Sequence, residues 1–311
     1  MKIGFIKKAS AIALSLIMLG SVSNPAYAHH RLDDAMNLKD AELQTAVTDK
    51  PMLAEYLRFQ VEVGVTEFWE SLDLEEMDKY FINEDGSVYF RNSGEKTAEE
   101  IAKKKAFEEK FKDYINRIEE YCDKSGLKFN KNFTDGKGNF LAGSSNGDGQ
   151  GTNSLSVSNC VKGDVLLLND GGVQIWGAIM HAGIYDGTSS DLCIYSASPN
   201  AAANNNNVGV RWERLSDWRK NDQAWTLYVK NTSSSQKSYA FDYVTYYATP
   251  GEAYDWKASK SSTSKWYCSK IPWFAYKESP TGIDIDSDGG KWCWPIDIYN
   301  STKTGLRNYY S

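Results

Sequence analysis

The stretch Lys265-Trp266-Tyr267-Cys268-Ser269-Lys270-Ile271-Pro272-Trp273-Phe274-Ala275-Tyr276 sets a cysteine where a loop turns into a helix. Ile271, Phe274 and Ala275 follow at helical spacing, and Pro272 falls in the first turn, where a missing N–H is tolerated. A sulfur there meets the unpaired N–H groups and partial positive charge of a helix N-terminus. Both favour a thiolate and offer donors to a developing oxyanion. A cysteine nucleophile also needs a base, and the histidines are His29, His30 and His181. The first two lie near the start, so a Cys-His pair would join Cys268 to His181. Taken singly, a cysteine is more often a buried, inert thiol, and a strand histidine a satisfied core residue.

Upstream of that stretch the chain reads as strands. Gly163-Asp164-Val165-Leu166-Leu167-Leu168 is one, Val173 to Tyr185 a second with His181 near its middle, and Leu192 to Ala197 a third. Asp186-Gly187 and Pro199 bound the third, and Trp225-Thr226-Leu227-Tyr228-Val229 makes a fourth. Short linked strands imply an antiparallel sheet. Tyr239 to Tyr247 reads as a helix that stops by Pro250-Gly251. Nine of the ten tryptophans lie at or beyond Trp176, so this part is aromatic-rich. Trp266, Trp273, Trp292 and Trp294 either floor a substrate cleft or pack as core.

Gly163-Asp164-Val165, followed by His181-Ala182-Gly183-Ile184-Tyr185-Asp186-Gly187, resembles the GD-[LV] and HxGIYxG strands of the NlpC/P60 superfamily of papain-like amidases and peptidases. In its usual members a Gly-x-x-Tyr turn and the nucleophilic cysteine precede those strands. Here Gly251-Glu252-Ala253-Tyr254 and Tyr267-Cys268-Ser269 follow them. That order resembles the circularly permuted branch, with its YiiX-like and lecithin:retinol-acyltransferase-like members, over about Val161 to the C-terminus. The resemblance implies, for that part, an α+β fold: a permuted papain-like domain with a central antiparallel sheet and a nucleophile-bearing helix; the mostly helical N-terminal region ahead of it is read from its own residues. It implies Cys268 as nucleophile, His181 as base, and Tyr254 at the border of the same pocket. Relatives orient the imidazole with a polar residue on the next strand. Ser196 stands at that position, and it stabilises an imidazolium less than a carboxylate does. The orienter is therefore either Ser196 or a group the sequence does not reveal.

The remaining regions frame this unit. Residues 29–129 are charged and mostly helical, with Leu53, Tyr56, Leu57, Val61 and Val65 at helical spacing across Met52 to Leu72. Phe81 to Phe90 suggests a hairpin around Asp85-Gly86. Thr97-Ala98-Glu99-Glu100 carries a capping-box pattern, ahead of a stripe of Ile101, Phe107, Phe111, Tyr114, Ile115 and Ile118. Packing, inhibition or partner binding would each explain this region. Residues 130–160 form a Gly/Asn/Ser-rich connector before the 161–311 unit. Within it Asn146 to Gly151 reads as a flexible segment rather than a calcium loop. Asp284, Asp286 and Asp288 give a D-x-D-x-D-G start, but position twelve is Pro295, so it is no EF-hand. A solvated turn is the default there, and calcium the alternative.

Residues 1–28 have the basic start, apolar run and Ala26-Tyr27-Ala28 end of a secretory signal. No cysteine follows the run and no later stretch is apolar enough to span a membrane, so the mature chain is expected outside the cytoplasm. Thirty-five basic against forty-one acidic residues give −6, and loss of the three leader lysines takes this to −9. Such acidity excludes nucleic acid or any polyanion bound by broad electrostatics. Five cysteines leave at least one unpaired, and their spacing does not suit structural zinc. Nothing calls for a cofactor. Three classes stay open: a secreted cysteine amidase or peptidase, for which the resemblance and the leader suggest cell-wall (peptidoglycan) peptide as substrate; an acyl hydrolase or acyltransferase on lipids or thioesters; and a non-catalytic binding module.

Overall fold

The computed structural model describes residues 53–131, 133–134, 151–199 and 208–311. The leader, and Asn146 to Gln150 of the connector, lie outside these residues.

The N-terminal part opens with α1 (Leu53–Val63) and α2 (Val65–Glu70). The apolar period suggests one continuous helix, but Gly64 sits at φ 70° and breaks it in two; a glycine takes that left-handed conformation without steric cost. A short α3 (Leu74–Met77) is capped by Asp73, whose carboxylate accepts from the amides of Glu75 and Glu76. The expected hairpin forms from β1 (Tyr80–Ile82) and β2 (Val88–Phe90). The long α4 (Ala98–Ser125) starts from the expected capping box of Thr97 and Glu100. Its stripe is buried from Phe107 onward, whereas Ile101 is 54% exposed. Packing begins only where Phe107 meets the Tyr80 ring.

The second part holds β3 (Val165–Asn169), β4 (His181–Tyr185), β5 (Leu192–Ser198), β6 (Gly209–Arg214), α5 (Leu215–Trp218), β7 (Gln223–Val229), α6 (Ser234–Tyr247), β8 (Ala253–Tyr254), β9 (Lys265–Trp266), α7 (Lys270–Lys277), α8 (Pro295–Asn300) and β10 (Thr304–Tyr310). Six strands form one antiparallel sheet in the order β10-β7-β3-β4-β5-β6. The protein is therefore mixed α/β, with a large antiparallel sheet and several helices. Both faces of β3 are covered. Val165 and Leu167 enter the main core, and Leu166 and Leu168 a smaller cluster with Trp218. A strand buried on both sides shows no alternation, which is why it reads as a plain apolar run.

Three sequence expectations are corrected. The strand expected over Val173 to Tyr185 begins only at His181, which is its first residue rather than its middle. Ahead of it, Gln174 and Gly177 exchange backbone hydrogen bonds in a tight turn, so the chain reverses there. Helix α6 starts five residues before Tyr239, at a Ser233/Gln236 capping box. Strands β6 and β10 were not anticipated: β6 alternates, but its charged face reads as a solvent face, and β10 is rich in polar residues and carries a bulge.

Candidate active site

Helix α7 enters from a turn at Cys268 and Ser269, with Pro272 in its first turn as expected. Ile271, Phe274 and Ala275 anchor it in the main core, and it packs against β4 and α6. That packing carries Cys268, 4% exposed, to the start of β4 where His181 is fully buried. The Cys268 thiol is close enough to be among the groups that raise the His181 pKa. No hydrogen bond joins the thiol to His181 Nδ1, which has no partner in the structure; the thiol makes a polar contact with Ser269 Oγ at 4.0 Å. Looser catalytic contacts of this kind are common before substrate binds. The pair expected from sequence is thus brought together.

The other ring nitrogen is held firmly. His181 Nε2 lies 2.8 Å from Glu213 Oε2, and Glu213 comes from β6, two strands away in the sheet. The indole N–H of Trp218 donates to the same oxygen at 2.8 Å, and Arg211 binds Oε1 through Nε at 3.0 Å and Nη2 at 2.9 Å. With both oxygens engaged, the carboxylate has one orientation. It fixes the tautomer with the proton on Nε2 and leaves Nδ1 to accept a proton from the thiol. Burial by itself pushes the His181 pKa down, but Glu213 and then Cys268 outweigh it and raise it above its ordinary value. Burial pushes Glu213 up, and the charge and hydrogen bond of His181, helped by Arg211, bring it below the carboxylate range.

Ser196 is present but secondary. Its Oγ donates to the Ala182 carbonyl at 2.6 Å and sits 3.3 Å from His181 Nε2, so the principal partner of the imidazole is Glu213 and not Ser196. The β4–β5 ladder pairs Ile184 with Tyr195 and Tyr185 with Ile194, and beyond it the Ser196 hydroxyl bridges the strands. Gly183 lets this happen. A Cβ there would meet Ile194 Cγ2 at 2.6 Å and the Trp218 ring at 3.2 Å, and Trp218 packs on the imidazole with ring centres 5.2 Å apart. Tyr254, on β8, pairs with Trp266, two residues ahead of Cys268. Burial, and next the Cys268 thiol, push its phenol pKa up.

All five cysteines are free. Burial pushes Cys122 and Cys160 up to about 11 and Cys193 up to about 12, and raises Cys293 strongly. These four are poor thiolates. Trp266, Trp273, Trp292 and Trp294 are all buried, which favours the core reading over a cleft floor. The D-x-D-x-D-G segment is also corrected. Asp284 faces away, taking the Trp273 indole N–H at 2.9 Å and Lys277 at 3.0 Å. Asp297 of α8 takes its place, and carboxylate oxygens of Asp286, Asp288 and Asp297 lie within 4.8 Å of one another. That trio has the donors to hold a metal ion, although Lys260 already pairs with Asp286. Among the described residues no helix is long and apolar enough to cross a membrane.

The chain matches no protein-family model, no curated protein and no solved structure.

Proposed function

We propose that the protein is a cysteine hydrolase that cleaves an amide bond, with Cys268 as nucleophile, His181 as proton carrier and Glu213 as the residue that orients the imidazole. The observation that carries this reading is the buried His181–Glu213 contact of 2.8 Å beside a thiol at the entry to α7. A binding module that merely kept the fold would have no use for a desolvated imidazolium partner held against a thiol. Buried charges of this kind are costly unless paired, and they cluster at functional sites.

The chemistry follows the geometry. Cys268 Sγ, its proton passed to His181 Nδ1, attacks the amide carbon, and the carbonyl oxygen takes the charge. The Cys268 backbone N–H at the helix entry is the donor for that oxyanion, with Tyr254 bordering it. The C–N bond breaks as His181 returns the proton to the leaving amine, and the acyl group stays on sulfur as a thioester. Water then gives a proton to His181, adds to the thioester and releases a carboxylic acid, which restores the thiol.

The order of strands, turn tyrosine and cysteine-bearing helix supports a circularly permuted member of the NlpC/P60 superfamily. Export, and a cell-wall peptide as substrate, rest on the leader pattern and on that resemblance. The test is iodoacetamide alkylation of the folded mature protein across pH, with mass mapping. Cys268 is expected to label fast at pH 6, where an ordinary thiol of pKa about 8.5 is protonated, and His181→Ala is expected to abolish the effect. Slow labelling at pH 6 in the unaltered protein overturns the proposal.

A further inference from the structure

Trp218 ends α5 with its side chain fully buried, and it touches both members of the His181–Glu213 pair. Its indole N–H donates at 2.8 Å to Glu213 Oε2, the oxygen that also faces His181 Nε2, and its ring centre lies 5.2 Å from that of the imidazole. The residue is anchored from several sides. Asp191, just ahead of β5, accepts from the Leu215 amide at 2.7 Å and from the Ser216 amide at 2.8 Å. The Trp218 carbonyl accepts from the side-chain amides of Asn153 at 3.0 Å and Asn221 at 3.2 Å. Its ring fills the space that a side chain at Gly183 would need.

A proton lies between Nε2 and Oε2, and the atom it rests on decides what the pair can do once the thiol has given its own proton to Nδ1. Held on Nε2, it makes the ring an imidazolium beside a carboxylate. Lost to Oε2, it makes the pair neutral and turns Glu213 into a carboxylic acid. Burial favours the neutral pair, because it disfavours charge. The surrounding donors oppose it. An ionised carboxylate offers about four lone-pair sites. Arg211 fills two of them on Oε1, while Trp218 and His181 take those on Oε2. Arg211 and Trp218 donate only, so neither can accept a proton from the acid. Both stabilise the carboxylate, and Trp218 does so at the oxygen where the proton would arrive.

We infer that Trp218 is a positioning residue of the proposed hydrolase, whose indole N–H keeps Glu213 ionised and so holds the shared proton on His181 Nε2. The inference rests on the hydrolase reading and carries it one residue further from the sulfur. A neutral acid at position 213 gives the imidazolium no counter-charge, and the thiolate then loses the positive ring that stabilises it. Phenylalanine at position 218 keeps an apolar ring beside the imidazole but leaves Oε2 without its second donor.

The experiment is Trp218→Phe in the full mature chain, carrying isotope-labelled histidine. Two readouts are taken at about pH 6, where an ordinary thiol is protonated: the iodoacetamide rate at Cys268 and the nitrogen NMR signals of His181. In the unaltered protein both ring nitrogens are expected to carry protons. In Trp218→Phe the rate is expected to fall about tenfold, as for loss of one hydrogen bond to a charged group, and the Nε2 signal to move towards its unprotonated position. An unchanged rate overturns the inference. A rate that falls while Nε2 stays fully protonated also overturns it, since a tryptophan needed only for packing would behave that way. Should the variant fail to fold, the unaltered protein decides. Its Trp218 indole N–H signal is expected to shift with the same midpoint as the His181 titration, and a signal indifferent to that titration overturns the inference. With fast labelling of the unaltered Cys268, each of these failures leaves the hydrolase reading intact. Slow labelling of the unaltered protein overturns both.

Discussion

At the scale of single residues, Glu213 is the decisive group. Its two oxygens are bound by His181, Trp218 and Arg211, all in the interior. Glu213→Gln keeps the shape and removes the charge, so the imidazolium loses its counter-ion while Arg211 stays buried. The rate of Cys268 chemistry is expected to fall on the order of 10²–10⁴-fold, and stability by about 3–5 kcal/mol. Ser196→Ala, which removes only a 3.3 Å neighbour of the ring, is expected to cost much less than Glu213→Gln in the same assay. The pH dependence has a definite sign. His181 is raised, so its contribution is whole below about pH 6.5 and lost as pH rises through the raised value. Glu213 is lowered, so its contribution is whole above about pH 4.5 and lost as pH falls through the lowered value. The stability deficit of Glu213→Gln is therefore expected to be largest near pH 5.5 and smaller at pH 9.5 in urea unfolding. An equal or larger deficit at the alkaline pH would contradict the charge-pair assignment. The sequence made Cys268, His181 and Tyr254 visible through their motifs, but not Glu213. In Val210-Arg211-Trp212-Glu213 the alternation was there to read, and its polar face looks like a solvent face. Only the tertiary fold makes that face an interior one.

At the scale of elements, the segment between β8 and α7 decides where the thiol stands. Lys270, in the first turn of α7, donates to the carbonyls of Ser259, Ser262 and Lys265, with its ammonium 4.7 Å from the centre of the Trp266 ring. That side chain fastens the loop from within, beside the Lys260–Asp286 and Lys265–Asp255 pairs, in a segment with no long strand. Lys270→Met leaves three carbonyls without that donor while keeping the apolar stem. A loss of about 2–3 kcal/mol is expected, together with faster proteolysis within residues 259–265. Unchanged cleavage in that loop would show that the lysine is not its fastener. Elements with strong local signals were legible in advance: the Thr97/Glu100 capping box, the Asp85-Gly86 hairpin, and the apolar β3. Those set by partners were not. The Val173 to Met180 segment is apolar enough for a strand, yet it turns back because the Ile175 carbonyl accepts from the Trp69 indole N–H at 2.8 Å and from the Tyr114 hydroxyl.

At the scale of the molecule, those two hydrogen bonds bear on how the N-terminal part and the sheet unit unfold. Composition divides the chain sharply near residue 160, but the buried side chains do not respect that division. Phe59, Phe68, Trp69, Phe111 and Tyr114 belong to the same core as Val165, Trp225, Ile271 and Tyr299. The Trp69 ring packs between the two parts, with centres 5.3 Å from Trp256, 6.2 Å from Trp176 and 6.3 Å from Trp294. A shared core of this kind couples the parts energetically, so the folded chain is expected to unfold in one calorimetric transition rather than two. Trp69→Ala removes the central ring and leaves Ile175 short of a donor; a cost of about 3–5 kcal/mol is expected, felt by the whole transition. Because Trp256 and its neighbour Tyr254 lie on the far side of that ring, the same variant should also slow alkylation of Cys268, about 200 residues away along the chain. Two separate transitions, or a Trp69→Ala variant that melts the helices while Cys268 keeps its full reactivity, would mean that the sheet unit stands by itself and the N-terminal part is only an attachment to it.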